Sequence, residues 1–173
     1  MLVIIEGPDG SGKTTLIPKL AKDLGYEIYY SGGPKDIRNM IRVLAELENM
    51  ALANETYICD RVPWVSEIVY NDSLKRENIL PQKVYMEYLN LPQKMIYCSL
   101  NSSNKMLKKM SREYKAHKPK EHLSAVIKNH NLICENYELI MGYIETFRGI
   151  TGQTALIKYN WELNAYNCLK EKL

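Results

Sequence analysis

The 173-residue chain is long enough for one well-buried core and too short for two ordinary domains, so we expect a single domain over residues 1–173. Hydrophobic residues make up 46% of the sequence and charged residues 25%, a composition that excludes a disordered chain. The formal charge of +3 suits a protein that binds anions, and the lack of a membrane-length apolar run or signal-peptide pattern predicts a cytoplasmic protein without a membrane partner.

The first predicted element is a buried strand, the apolar run LVII at residues 2–5. It leads into GPDGSGKT at residues 7–14, which fits G-x-x-x-x-G-K-[ST], and then into apolar residues with helical spacing up to Gly25. In this pattern backbone N–H groups surround phosphate oxygens, the lysine reaches the β and γ phosphates, and the hydroxyl holds Mg²⁺. We therefore expect ATP and Mg²⁺ as cofactors. The predicted cofactor-binding residues are Gly10, Ser11, Gly12, Lys13, Thr14 and Thr15, with Thr14 on the metal.

Strands and helices alternate along the rest of the chain. Further strands are predicted at residues 26–31, 56–60, 94–100 and 154–160. Helices are predicted after Asp36, from Pro63, between Pro81 and Pro92, after residues 101–103, from Leu123 to beyond Ile144, and over residues 161–173. Alternating strands and helices require parallel pairing through right-handed crossovers. The predicted fold is therefore an α/β three-layer sandwich with a five-stranded parallel sheet.

The cysteines and one histidine are predicted to be core residues. The four cysteines are Cys59, Cys98, Cys134 and Cys168, scattered without a C-x-x-C pair, so we expect reduced core residues rather than metal ligands. His130 lies on the apolar face of the long predicted helix, where a buried histidine is expected.

Asp60 and Arg61 directly follow the third predicted strand. An aspartate at a strand end can hold Mg²⁺ or take a proton from a hydroxyl, while the arginine can bind a second phosphate through two parallel hydrogen bonds. A strand-end salt bridge is the plain structural alternative. Because ligands gather at the carboxyl ends of parallel strands, the phosphate loop upstream favours the functional interpretation.

With IIEGPDGSGKTTL at residues 4–16 and ICDR at residues 58–61, the chain resembles thymidylate kinases and, more broadly, P-loop nucleoside and nucleotide kinases. The resemblance implies that Lys13 and Thr14 serve ATP and Mg²⁺. It further implies that Asp9 faces the sugar of the acceptor nucleotide and that Arg61, beside Asp60, reaches the acceptor phosphate.

A basic segment, KKMSREYKAHKPKEH from residue 108, has few apolar anchors and is predicted to be mobile. By its order in the chain it corresponds to the lid of the resembling family, near residues 108–120. We expect Arg112 in this lid to stabilise the charge that develops on the transferring group.

The chain departs from the thymidylate kinase pattern in the segments with which that family binds its acceptor. DRVPWVSEIVYN at residues 60–71 places Ser66 and Tyr70 one residue late, and SGGPK at residues 31–35 replaces Arg-Glu-Pro. Arg38 and Arg42 are approximate replacements for the base-pairing arginine. Trp64 and Tyr70 could either stack on a base or fill the core. The predicted substrate-binding residues are Asp9, Arg38, Arg42, Arg61, Trp64 and Tyr70.

These patterns predict an ATP- and Mg²⁺-dependent kinase that phosphorylates a deoxynucleoside monophosphate, with dTMP favoured by the resemblance. A homodimer is compatible with this prediction. A GTPase is excluded because NSSNKML carries Leu107 where its aspartate belongs, and Arg61 replaces the acidic residue of a motor ATPase.

Two alternatives stay open. One is a kinase for a hydroxyl of a deoxynucleoside or of DNA, such as a polynucleotide end or 5-hydroxymethyluracil. Asp60 or Glu67 would then take the proton, and Lys75 and Arg76 could line a nucleic-acid path. The other is a non-catalytic nucleotide-binding module.

Overall fold

The computed structural model describes residues 1–32, 36–99, 120–151, 154–160 and 166–173. Its strands are β1 (Leu2–Glu6), β2 (Glu27–Tyr30), β3 (Tyr57–Asp60), β4 (Gln93–Cys98) and β5 (Thr154–Tyr159). All neighbouring strands pair in parallel, in the order β2-β3-β1-β4-β5. The predicted five-stranded parallel sheet is therefore confirmed.

The helices of the described residues connect these strands. They are α1 (Lys13–Leu24), α2 (Ile37–Leu52), α3 (Pro63–Leu74), α4 (Gln82–Glu87), a short 3₁₀ helix (Tyr88–Asn90), α5 (Lys120–Lys128), α6 (His130–Thr151) and α7 (Tyr166–Lys170). The helix predicted after residues 101–103 lies outside the described residues, and the one predicted over residues 161–173 is described only as α7.

The long helix predicted from Leu123 is two helices that meet at Asn129. The Asn129 side chain donates from Nδ2 to the carbonyl of Ala125, at 2.9 Å. The backbone N–H of Asn129 donates to the same carbonyl, at 3.1 Å, so this helical hydrogen bond is kept at the junction.

Two apolar clusters cover the two faces of the sheet. Val3 and Ile5 of β1 pack with α1 and α7, whereas Leu2 and Ile4 pack with α2, α3 and α6. Successive side chains of a strand point to opposite faces, so one buried strand supplies both clusters. Helices on both faces of a parallel sheet make the predicted three-layer sandwich.

The cysteines and His130 only partly follow their predicted burial. Cys59, Cys98 and His130 are buried as expected, and Cys134 is half-buried. Cys168 is exposed, so its prediction as a core residue is wrong; on α7 its neighbour Leu169 supplies the buried contact instead. Among the described residues, no three His, Cys, Asp or Glu side chains are grouped to hold a metal ion, and no helix has the length and apolarity needed to span a membrane.

The topology brings the two predicted sites to one edge of the sheet. β1 lies between β3 and β4, and Ile5 of β1 stands in register with Asp60 of β3. The loop that follows β1 and the Asp60–Arg61 pair that follows β3 therefore emerge side by side. This carboxyl edge is where open parallel sheets bind their ligands.

Candidate functional site

The loop between β1 and α1 depends on glycines at positions where other residues do not fit. A Cβ on Gly7 would lie 2.4 Å from the carbonyl oxygen of Cys98, and the φ angle of Gly7 is 141°. Gly12 caps α1 in the left-handed conformation, with φ 87°. The backbone consequently turns tightly into the N-terminus of α1, where the direction of the backbone N–H groups and the helix dipole favour an anion.

Lys13 is buried within this loop. Its ammonium donates to the carbonyl oxygens of Gly7 and Pro8, each at 2.7 Å, and to Oγ of Ser11 at 3.3 Å. Burial, followed by the nearby Arg61 cation, lowers the pKa of Lys13 to about 8. The ammonium thus lies across the loop and is bonded to three acceptors of the loop itself. Next to it, Thr14 and Thr15 are exposed on the first turn of α1.

Arg61 turns back from the end of β3 onto the same loop. Its Nη2 donates to Oδ1 of Asp9 at 2.6 Å, to the hydroxyl of Tyr70 at 2.8 Å and to the carbonyl oxygen of Gly7 at 3.4 Å. Its guanidinium also lies 4.9 Å from the centre of the Tyr70 ring. Its Nε is buried without a hydrogen-bond partner in the described part of the chain. The structure thus brings Asp9, Arg61 and Tyr70 together with the loop.

Glu6 completes this cluster, and the sequence-based site did not include it. The side chain is fully buried at the end of β1; Oε1 accepts from the backbone N–H of Val62 at 2.7 Å, and Oε2 accepts from the Tyr137 hydroxyl at 3.1 Å. Burial raises the pKa of Glu6 to about 7. A glutamate that ends an apolar strand next to the loop glycine is the sequence signal that could have identified it.

Asp60 and Glu67 are the carboxylates that were considered as bases. Asp60 is half-buried at the end of β3, between Ile5 of β1 and Tyr30 of β2 in the sheet register. Glu67 of α3 accepts from Nδ2 of Asn71 at 3.0 Å, and burial raises the pKa of its carboxyl. Asp60 therefore lies at the carboxyl edge of the sheet, and its role as a metal ligand or a base stays a prediction.

The structure corrects the prediction that Trp64 contacts substrate. Its ring is 1% exposed and stacks on Tyr88 with centroids 5.2 Å apart, so it belongs to the core and is not available to a base. The reason is its place on the first turn of α3, which packs against the sheet.

Other predicted residues lie on the surface or outside the described residues. Arg38 and Arg42 are exposed on α2, and Nη1 of Arg42 donates to Oε1 of Glu46 at 2.6 Å. Lys75 and Arg76 are also exposed. Arg112 and the basic lid near residues 108–120 lie outside the described residues, apart from the start of α5.

No family model and no curated protein sequence matches this chain. Several solved structures are similar to it. The YorR protein from Bacillus subtilis, in complex with phosphorylated GDP, is 19% identical with a TM-score of 0.69, and the match covers 99% of this chain and 92% of that one. Deoxyadenosine kinase from M. mycoides with the products dCMP and a flexible dCDP bound is 19% identical with a TM-score of 0.59, covering 99% and 97%. The same kinase with bound dATP has a TM-score of 0.58, with 19% identity and coverage of 99% and 98%.

At this level of identity the likeness establishes the fold. The chain has the α/β fold of the P-loop nucleotide kinases, as its first strand, loop and helix predicted. The narrower resemblance to thymidylate kinases stays a prediction.

Proposed function

We propose that the protein is a kinase that transfers the γ-phosphoryl group of ATP to a deoxynucleoside monophosphate, with thymidylate the first acceptor to test. The observation that carries this proposal is the return of Arg61 to the loop of Lys13, which gives two largely buried cations, both bonded to the Gly7 carbonyl. One cation is enough to hold a single nucleotide. Two adjacent cations suit a transfer in which donor and acceptor phosphates must approach each other.

Each residue of the cluster has a role in this proposal. The N–H groups of Gly10 to Thr15 and the Lys13 ammonium bind the phosphates of ATP. Arg61 binds the acceptor phosphate, for which its unpartnered Nε is a further donor. Asp9 faces the acceptor sugar, as the resemblance implies.

The donors at this edge fit Mg²⁺. Thr14 offers an exposed hydroxyl at the start of α1, and Asp60 offers a half-buried carboxylate at the end of the neighbouring strand. Both supply the hard oxygen ligands that Mg²⁺ prefers, and this ion is usually bound by one or two carboxylates together with waters and substrate phosphates. Bound there, the ion would neutralise charge on the donor phosphates.

A monophosphate acceptor requires no base from this cluster, in which the Asp9 carboxylate is already paired with Arg61. The oxygen of a monophosphate is already nucleophilic and needs no general base, whereas a hydroxyl does.

The alternative is a kinase for a hydroxyl of a deoxynucleoside or of DNA. The likeness to a deoxyadenosine kinase favours it, and Glu67, with its raised pKa, is a carboxyl suited to a base. This alternative predicts an Asp60→Asn or Glu67→Gln variant that fails because a base is missing.

Incubation with γ-labelled ATP, Mg²⁺ and one acceptor class at a time separates these functions. We expect label on a deoxynucleoside monophosphate. Label only on a nucleoside or an oligonucleotide would select the alternative. Bound ATP without transfer to any acceptor would indicate a non-catalytic nucleotide-binding module.

A further inference from the structure

Arg61 has an unusual backbone for a residue with a long side chain. Its φ angle is 67°, in the left-handed region, and Lys75 is the other non-glycine residue with positive φ among the described residues. Lys75 caps the C-terminus of α3, where this conformation is common. Arg61 instead lies between β3 and α3, where such strain persists only if the surroundings enforce it.

Two hydrogen bonds from the end of β1 hold this conformation. The N–H of Arg61 donates to the carbonyl oxygen of Ile5 at 3.1 Å, and the N–H of the next residue, Val62, donates to Oε1 of Glu6 at 2.7 Å. The two acceptors belong to consecutive residues of β1. The peptide that follows Arg61 is therefore fixed by a side chain, not by the sheet ladder.

Packing alone gives no reason for a carboxylate at this position. Glu6 is fully buried, and burying a carboxyl group is unfavourable unless its oxygens are hydrogen-bonded. Both oxygens are bonded, one to Val62 and the other to Tyr137 of α6. Tyr137 in turn packs edge-on against Tyr70, which accepts a hydrogen bond from Arg61. Glu6 is thus connected to the Arg61 backbone through Val62, and to the Arg61 side chain through Tyr137 and Tyr70.

We propose that Glu6 is a positioning residue that holds the backbone of Arg61 and Val62 so that the Arg61 guanidinium reaches the phosphate loop. The catalytic consequence rests on the proposed function, because it requires that Arg61 bind the acceptor phosphate. The structural consequence, the positive φ of Arg61 and its contact with Asp9, does not depend on the proposed function.

The structural consequence is tested by the structures of two variants. Glu6→Gln keeps an acceptor for Val62, so Arg61 should keep its positive φ and its contact with Asp9. Glu6→Leu has no acceptor, so Arg61 should leave the left-handed region. Retention of both features in Glu6→Leu would overturn the proposal whether or not the protein is a kinase.

The catalytic consequence is tested by a double-mutant cycle. Glu6→Leu should lower kcat/KM for the acceptor by about 10- to 100-fold, the effect of misplacing one charge-assisted contact, with little change in ATP affinity. In an Arg61→Gly background the same change should cost less than about twofold, because residues that act through one another are not additive. Equal losses in both backgrounds, or a parallel loss of ATP affinity, would show a general structural role and overturn the proposal.

Two controls accompany the cycle. Tyr137→Phe removes the bond to the other oxygen of Glu6 and leaves the Val62 contact, so its loss should stay below about threefold. If Glu6→Leu alone does not fold, Arg61→Gly should restore folding, since glycine adopts positive φ without penalty. A double variant that also fails to fold would overturn the proposal.

Discussion

Arg61 and Arg42 each pair with a carboxylate at 2.6 Å, yet the two pairs have different surroundings. The side chains of Arg61 and Asp9 are 22% and 6% exposed, whereas those of Arg42 and Glu46 are 59% and 36% exposed. An exposed pair is screened by water and contributes about 0–1 kcal/mol, whereas removing one partner of a buried pair leaves an uncompensated charge. The distance between two charges therefore does not identify a functional arginine; its burial and its neighbours do.

The same contrast separates the two halves of the proposed site. The half at the phosphate loop contains Asp9, Lys13 and Arg61, which bond to one another or to the loop backbone. It also contains the buried Glu6, which accepts from the backbone N–H of Val62, next to Arg61. The half on α2, with Arg38 and Arg42, faces solvent. We infer that the buried half defines the class of reaction. The exposed half contains Arg38 and Arg42, the approximate replacements for the base-pairing arginine of the thymidylate kinase pattern.

The largest effect is expected from Lys13→Ala. The lysine ammonium is the buried cation on the donor side, and losing such a preorganised donor should lower transfer by about 10²–10³-fold. Steady-state transfer to the acceptor measures this. Lys22→Ala, exposed on the same helix, is the matched control and should leave turnover within about twofold. Full activity of Lys13→Ala in a folded protein would be incompatible with a kinase site in this loop.

The next effect is expected from Arg61→Ala. Loss of a shielded, charge-assisted contact of about 1.5–3 kcal/mol should raise the acceptor KM or lower kcat by roughly 10- to 200-fold. The affinity for ATP, measured by titration, should stay nearly unchanged. An equal loss of ATP affinity would mean that Arg61 serves the donor and that the buried half contains one anion site.

The pH dependence of ATP binding tests the buried cation without a mutation. Because the pKa of Lys13 is lowered to about 8, its ammonium is lost as the pH rises through that value. Affinity for ATP should then fall, approaching about tenfold per pH unit, and binding near pH 8 should be accompanied by proton uptake. Lys13→Arg, which keeps its charge, should lack this fall. Calorimetry in buffers of different ionisation enthalpy measures both quantities, and a pH-independent affinity in the unmodified protein would contradict the assignment.

The smallest effect is expected from Arg42→Ala. Its exposed pair with Glu46 should contribute less than about 0.5 kcal/mol to the free energy of unfolding, measured by denaturant titration. The acceptor KM should change by less than about threefold. A tenfold rise in KM for thymidylate alone would contradict the contrast between Arg61 and Arg42. It would indicate that Arg42 contacts the base of the acceptor, as the sequence predicted.

The sequence predicted the parts of the molecule in which each residue meets a local requirement. The glycines, Lys13 and Thr14 each have a backbone or chemical reason within eight consecutive positions, and alternating strands and helices leave few topologies. The sequence did not predict the contact of Arg61 with Asp9, which forms because β1 and β3 are neighbours in the sheet.

The remaining features depend on contacts between distant segments. Glu6 gains its role from the N–H of Val62 and the hydroxyl of Tyr137, which lie 56 and 131 positions away. Trp64 is in the core because Tyr88 packs over its ring. The junction at Asn129 divides a segment that apolar periodicity predicts as one helix. Patterns of residue type do not encode such contacts.

Calorimetric titration of a deoxynucleoside monophosphate into protein saturated with Mg²⁺ and a non-hydrolysable ATP analogue tests the central claim, two adjacent anion sites, most directly. With thymidylate as the first ligand, we expect one monophosphate to bind per analogue-saturated chain, and the affinity to fall roughly 10- to 200-fold in Arg61→Ala while the analogue still binds. A monophosphate that binds the free protein only in competition with the analogue, and with the same affinity in Arg61→Ala, would contradict it.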